Sequence, residues 1–440
     1  MTAPAGSHLD AEDHAAVAAL NAAGYLVSHI PPLARDQSPF AVRSPRRADT
    51  IAPGVRLDAR TVELGDGCFT NTYCLDIDLA AIQVAAVSSA DGFHLPDLVN
   101  AGSVAAVSGT FEFISDDPAY QPAEPCLELC VRHGEAVSVP TATKPALLVQ
   151  QGRPVITTLE PAGTLSVNGR SHRWVGSRSP HATPKARRSG EFTVFGAANC
   201  QIRYTDHQRT GFARDVDPTT NRTPKDPDAL DYTVSWTHGA GHRIASVHPD
   251  GGADLFTGAL VLRADRTDSE HLAVGAPVRI TGIDELDVRD IDAGFSVGPS
   301  VADAAAGYAA ADACLGLSPF TARRSARTLI GLRDQHLRLA VLDGAPRTTT
   351  FQGVSPAETA ELCTAWGWDP HKMYHLDGGQ SSKIAYRKNG QVRVLGSMHY
   401  LRWPHGSEEP FRWQGHRGRV LHSGLALTPG TVETVQWRRS

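Results

Sequence analysis

Within a single stretch, HLDGGQSS (His375 to Ser382), the chain gathers an imidazole, a carboxylate, two glycines, an amide and two hydroxyls. An apolar run, KMY, leads into it and KIAYR follows. Side chains alternate along a strand, so His375 and Asp377 would share one face and Leu376 would take the other. Gly378 and Gly379 permit positive φ and close approach to the backbone. Successive N–H groups from Gly378 to Ser382, with Gln380 at the tip and the hydroxyls of Ser381 and Ser382, could form an anion-binding concavity. A carboxylate beside a nest of that size suits hydrolysis of a phosphorylated substrate. The plainer reading is a Gly-Gly turn capped by an aspartate.

The elements around this turn can be read from spacing. RTLIGL and LRLAVLDG form two strands joined at Arg333-Asp334-Gln335. VSPAETAELCTAWG announces a helix, with Ser355 as N-cap, Pro356 at the first position and Glu358 completing a capping box. Thr359, Leu362, Cys363 and Trp366 would share its sheet-facing side, and Gly367 would end it. KMYHLD then enters as a strand, and KIAYR pairs with QVRVL through Lys388-Asn389-Gly390, a hairpin signal. Upstream, from about residue 55, short alternating runs such as YCLDIDL, SVAAVSGTFEF and FTVFG are separated by turn residues. The expected fold class is α+β, a strand-rich mixed or antiparallel sheet core with a few packed helices. Residues 9–23 read as a helix followed by a Pro- and Arg-rich connector, so 1–54 form an N-terminal segment. Residues 55–99 read as accessory strands, 205–232 as a polar surface loop or flap, and 431–440 as a tail.

Composition narrows the classes. At 440 residues, with 41% hydrophobic and 20% charged side chains, the chain can bury a sizeable core. A formal net charge of −5 argues against general nucleic-acid binding. No run of eighteen apolar residues is present, and the N-terminus carries acids and no basic region of a signal peptide, so the cytoplasm is the expected compartment, with no membrane partner. Seven scattered cysteines make a poor disulfide framework, and CLELC (Cys126 to Cys130) reads as strand packing and not as half of a zinc site. A metal reading would use His371, His375 and Asp377, but nothing in the spacing places His371 beside the other two. No metal or cofactor is expected.

DGGQSS after an apolar strand, preceded by SPAETAELCTAWGW, resembles the phosphodiester glycosidase family. The resemblance runs from about residue 100 to 430. It passes through SVAAVSGTFEF, LSVNGRSHRWVGSRSPHATPKARRSGEFTVFG, GALVLRADRTDSEHLAVGAPVRI, AGFSVGPSVAD, SARTLIGL, LRLAVLDG and GRVLHSGLAL. It departs from the family pattern in the early turn, where Ser108-Gly109-Thr110-Phe111-Glu112-Phe113 stands for Asn-Gly followed by two Phe, at His375 and Gln380 in the quoted turn, and at Ala345-Pro346 after LDG.

Such a resemblance implies cleavage between a sugar's anomeric carbon and a phosphate oxygen, in a sugar-1-phosphodiester or a nucleotide-linked sugar. A cytoplasmic home would suit small substrates of this kind in specialised metabolism. The phosphomonoester is a good leaving group, so cations and donors for the departing phosphate matter more than strong general-acid help. Asp377 is the first choice for the carboxylate that holds the oxocarbenium-like centre or activates water, with Glu112 and Asp343 as rivals. His375 would act as general acid or as an orienting hydrogen-bond donor. Arg327 is the first choice for the phosphate, since its fork is bidentate. Ser108, Gly109, Thr110, Gly378, Gly379, Gln380, Ser381, Ser382 and Arg347 complete the candidate binding set, with Arg323 and Arg324 weaker. The alternative is a protein that binds a sugar phosphate or nucleotide sugar without hydrolysing it, or an enzyme of related elimination or transfer.

Overall fold

The computed structural model describes residues 41–42, 47–64, 67–112, 122–177, 190–200, 202–207, 211–216, 221–267, 272–307, 324–344, 353–396, 400–402, 411–413 and 419–430. Strands dominate them. The α-helices among the described residues are short: Leu95–Asn100, Val301–Ala306 and Pro356–Ala365. The architecture is therefore mostly β, and the expected α+β balance is corrected toward sheet. No helix among the described residues is long and apolar enough to cross a membrane.

Two sheets frame the region of interest. One runs in the order Ala41–Val42, Val55–Glu63, Phe69–Asp78, His336–Leu342, Arg327–Arg333, Met373–Leu376, with Arg47–Ala52 beside the second strand. The other runs Gln391–Gly396, Lys383–Lys388, Ala105–Ser108, Leu421–Pro429, Ile82–Phe93. Leu57, Leu75, Leu339 and Val341 of the first meet Val84, Val107, Ile384 and Leu425 of the second in one apolar core. A further five-stranded sheet, which includes Lys144–Gln150 and Ala293–Ser296, serves two cores at once. Leu147 and Phe295 point into the core just described, and Leu148 points into a second one shared with the eight-stranded sheet. Alternation of side chains along the strand produces this division. The pairings are antiparallel apart from Arg170–Gly176 beside Glu191–Phe195.

Local signals around the quoted turn are realised. Ser355 accepts from the Glu358 amide while the Glu358 carboxylate accepts from the Ser355 amide, closing the capping box. Thr359, Leu362 and Cys363 are buried on the sheet, and Gly367 ends the helix at φ +71°. Arg327–Arg333 pairs with His336–Leu342 across Asp334-Gln335, and Lys383–Lys388 with Gln391–Gly396 across Asn389-Gly390.

Two expectations about organisation are overturned. Residues 55–99 are not accessory: Leu75 pairs with Leu339 at the centre of the first sheet, and Val87 pairs with Gly424 in the second. Nor are residues 205–232 a loop or flap where they are described. Ile202–His207 pairs with Gly211–Val216, and Lys225–Thr237 is a central strand of the eight-stranded sheet. The polar composition misled because Asp231 is buried by an ion pair. Arg263 donates to its two oxygens at 2.6 and 2.9 Å, and Thr223 adds its hydroxyl. A charge in this strand is satisfied by a partner on the neighbouring one, so it need not reach water. The expected helix at 9–23 and the tail at 431–440 lie outside the described residues.

Candidate active site

Five chain segments meet at the end of Met373–Leu376. The Asp377 amide donates to the Gly109 carbonyl at 2.9 Å, which ties the quoted turn to the early turn. The Gly298 amide donates to the His375 carbonyl (2.7 Å), and the His375 amide to the Pro299 carbonyl (3.1 Å), bringing in the Gly-Pro segment. The Gly379 amide reaches the Ala326 carbonyl at 2.7 Å, at the entry to Arg327–Arg333. The fifth segment, Arg419 to Ser423, is held by Glu112. That carboxylate accepts from the amides of His422 and Ser423 at 2.6 and 3.0 Å and faces His422 Nδ1 at 3.3 Å.

The quoted turn is not the anion nest that its composition suggests. Four of its amides are spent inside the protein: Gly378 donates to Asp377 Oδ1, Gly379 to Ala326, Ser381 to the Gly378 carbonyl and Ser382 to the Gly379 carbonyl. The glycines answer to neighbouring backbone. A Cβ on Gly378 would lie 2.9 Å from the Ala326 carbonyl oxygen, and Gly379 adopts φ +60°. Several expected substrate contacts are likewise internal. Ser108, Thr328 and Ser382 form a buried chain of hydroxyls at 3.4 and 3.2 Å, and the Thr110 hydroxyl donates to the Ser296 carbonyl. Ser381 is fully buried, and Gln380 is half-buried. Gly109 contributes its carbonyl to Asp377, and its Cα lies hard against Ser423.

The three candidate carboxylates occupy different settings. Asp343 is fully enclosed, and its Oδ1 accepts from the Gly344 amide at 2.8 Å. Glu112 is buried among the donors of the fifth segment. Asp377 is half-buried. Arg327 is buried, and its Nε donates to the Val354 carbonyl at 2.9 Å. Burial lowers its pKa to about 10, with Glu358 opposing. His375 lies close enough to feel that guanidinium. Burial first, and the Arg327 charge second, push its imidazole down to about 3. The ring is therefore neutral near pH 7. A neutral ring at that position fits the orienting role better than that of general acid. Arg324 is committed to Glu358 on the helix's first turn at 3.1 and 3.2 Å. Arg323 and Arg347 lie outside the described residues.

Two cations and a histidine at this junction escaped the sequence reading. Lys383, the first residue of Lys383–Lys388, is 1% exposed and feels both Asp377 and Arg419. Arg419 faces Glu112 at 3.8 Å, and His422 flanks the same carboxylate. The available signal was a lysine ahead of the run Ile384-Ala385-Tyr386; for Arg419 and His422 there was none beyond their place in GRVLHSGLAL. The histidine set proposed for a metal does not assemble: His371 is exposed on the Pro370–Lys372 turn while His375 is buried. Among the described residues, a compact group of potential ligands is Glu124, Cys126 and Cys130, whose ligand atoms lie within 4.8 Å of one another. There Glu124 already accepts from Arg132 at 2.8 Å, and the thiols pack with Val137 and Ala259.

Acids and buried cations meet at this junction of sheets, and comparisons with known proteins give a family likeness for part of the chain. Residues 251–413 match the phosphodiester glycosidase family, NAGPA, so the resemblance read from the motifs is upheld over that span. The span holds the Gly-Pro segment, the arginine strand, the capped helix and the quoted turn. The early turn joins the site through the fold. No curated protein matches the chain. Among solved structures it is similar to a hypothetical protein from Synechocystis at 13% identity and TM-score 0.50, covering 87% of this chain. The chain spans 63% of that protein. It is also similar to an exported protein from Burkholderia pseudomallei (16% identity, TM-score 0.48, 82% of this chain and 74% of that one). The zebrafish N-acetylglucosamine-1-phosphodiester alpha-N-acetylglucosaminidase catalytic domain, auto-inhibited by its pro-peptide, matches at 11% identity and TM-score 0.34, over 92% of this chain and 96% of that one. The likeness to the Synechocystis protein bears on the fold alone.

Proposed function

We propose that this protein hydrolyses the bond between a sugar's anomeric carbon and a phosphate oxygen, in a sugar-1-phosphodiester or a nucleotide-linked sugar. In this reading the C1–O bond breaks and its electron pair leaves with the phosphate. The oxygen of a water molecule bonds to C1, and the proton of that water passes to a carboxylate. The products are a free sugar and a phosphomonoester.

One observation carries the choice of carboxylate. Of the three acids, Asp377 alone is half-buried at the junction, while Glu112 and Asp343 are buried. A base needs access to water and substrate, which supports Asp377 as the catalytic carboxylate in this reading. The neutral ring of His375, two residues upstream, then serves as an orienting group and not as the acid. That division suits a leaving group that departs without strong protonation.

The test is incubation with a panel of sugar-1-phosphodiesters and nucleotide sugars, reading free reducing sugar and phosphomonoester. Turnover of at least one member is expected. Tight binding of a member with no turnover of any would overturn the hydrolase in favour of a binding protein.

A further inference from the structure

We propose that Lys383 and Arg419 form the anion site that receives the phosphate group, in place of the turn amides and Arg327. This rests on the sugar-phosphodiester reading above.

Lys383 stands apart from the other deeply buried cations among the described residues. Lys144 donates to Glu128 at 2.7 Å, Arg132 to Glu124 at 2.8 Å, and Arg263 to both oxygens of Asp231. Lys383 is as buried as these, yet its Nζ finds no hydrogen-bond partner among the described residues. An unpaired buried amine is destabilising, and a bound anion is one partner that would offset that cost. Burial pushes its ammonium well below the usual lysine range, Arg419 adds to that shift, and Asp377 opposes it. A bound anion would restore the charge.

The neighbours fix the kind of ligand. Arg419 is 11% exposed at its side chain, and its separation of 3.8 Å from Glu112 is longer than a charge-assisted hydrogen bond. Lys383 therefore stands between Arg419, which faces Glu112, and the half-buried residue Asp377. A sugar phosphodiester matches that polarity. Positive character develops at C1 and suits Asp377, while negative charge grows on the departing phosphate and suits Lys383 and Arg419. The diester carries one negative charge and the released monoester up to two, so these cations favour the transition state over the ground state. Other candidates for the phosphate are partly committed: the amides of Gly378, Gly379, Ser381 and Ser382 bond internally, and Arg327 Nε donates to Val354.

The experiment uses sulfate, a tetrahedral dianion that does not titrate near neutrality, with the full-length protein. Wild type should bind it, shown by calorimetry and by a rise in Tm. Lys383→Met, which replaces the amine with an apolar chain of similar length, should keep or raise the ligand-free Tm. It should weaken sulfate binding by about 10- to 100-fold, as expected for the loss of a charged hydrogen bond. Arg419→Gln should weaken sulfate binding as well. Lys144→Met is the control: Tm should fall because Glu128 loses its partner, while sulfate affinity is unchanged. Failure of wild type to bind sulfate, or undiminished binding by Lys383→Met, would overturn the anion site. So would a fall in ligand-free Tm for Lys383→Met as large as that for Lys144→Met. Turnover of the sugar panel is scored separately. Turnover with sulfate binding indifferent to Lys383 leaves the hydrolase standing without this site. Lys383-dependent sulfate binding without turnover supports the site and sinks the hydrolase.

Discussion

Glu112 and Asp377 are acids at the same junction, tied through Gly109, yet their surroundings differ. Glu112 spends its charge on main chain. Its Oε1 gathers the amides of His422 and Ser423, which anchors the start of Leu421–Pro429 against the early turn. Asp377 has its main chain anchored by Gly109, its Oδ1 accepts from the Gly378 amide, and as a half-buried residue it acts electrostatically on Lys383. The difference teaches that a carboxylate in a motif is not yet a candidate for catalysis. Which donors reach it, and whether water can, decides between holding the fold and doing chemistry.

The comparison breaks most sharply at Asp377 itself. Asp377→Asn should lower kcat by about a thousandfold, within the range for loss of a general base, with little change in Tm. Glu112→Gln should show the reverse: a loss of about 3 kcal/mol in urea unfolding, since charged acceptance from two amides is weakened in a buried place, with smaller effects on kcat in the folded fraction. If Glu112→Gln were stable and inactive while Asp377→Asn stayed active, the two roles would be exchanged.

The link between the acids gives the next test. A Cβ on Gly109 would sit 2.7 Å from the Ser423 carbonyl carbon and from the Gly424 amide nitrogen, atoms of a paired strand that cannot move alone. Gly109→Ala should cost about 1–3 kcal/mol and lower activity together, because both acids are positioned through this turn. Retained activity in a destabilised variant would uncouple them.

The smallest effect is expected from acidification, and its origin is a base and not either acid. His375 has a folded-state pKa of about 3 against about 6.5 when unfolded. The unfolded chain therefore binds more protons between these values. Its contribution to stability is fully present above about pH 6.5 and is lost as pH falls toward 3, by about 2 kcal/mol at pH 5. Unfolding free energies of wild type and His375→Asn measured from pH 7 to 5 check this. The variant should show a flatter profile, and parallel profiles would reassign the loss to other groups.

Legibility differed by kind of feature. The capped helix at 356–365, the hairpins at Asp334-Gln335 and Asn389-Gly390 and the position of the quoted turn could be read because capping and turn chemistry act within a few residues. The flap at 205–232 was misread because the partner that buries Asp231 is Arg263, on another strand. The turn amides were misassigned for a related reason: the Ala326 carbonyl that takes Gly379 lies more than fifty residues away.

The sequence by itself determined that HLDGGQSS ends a strand beside a capped helix, and that acids and cations gather around it in a family's order. Only the tertiary structure decided which of them are committed. Glu112 meets His422 across 310 residues, and Lys383 lies close to Asp377 and Arg419 with no hydrogen-bond partner for its Nζ among the described residues. Spacing encodes direction along one element, whereas the free energy of a buried charge depends on donors, acceptors and water brought by every element packed around it.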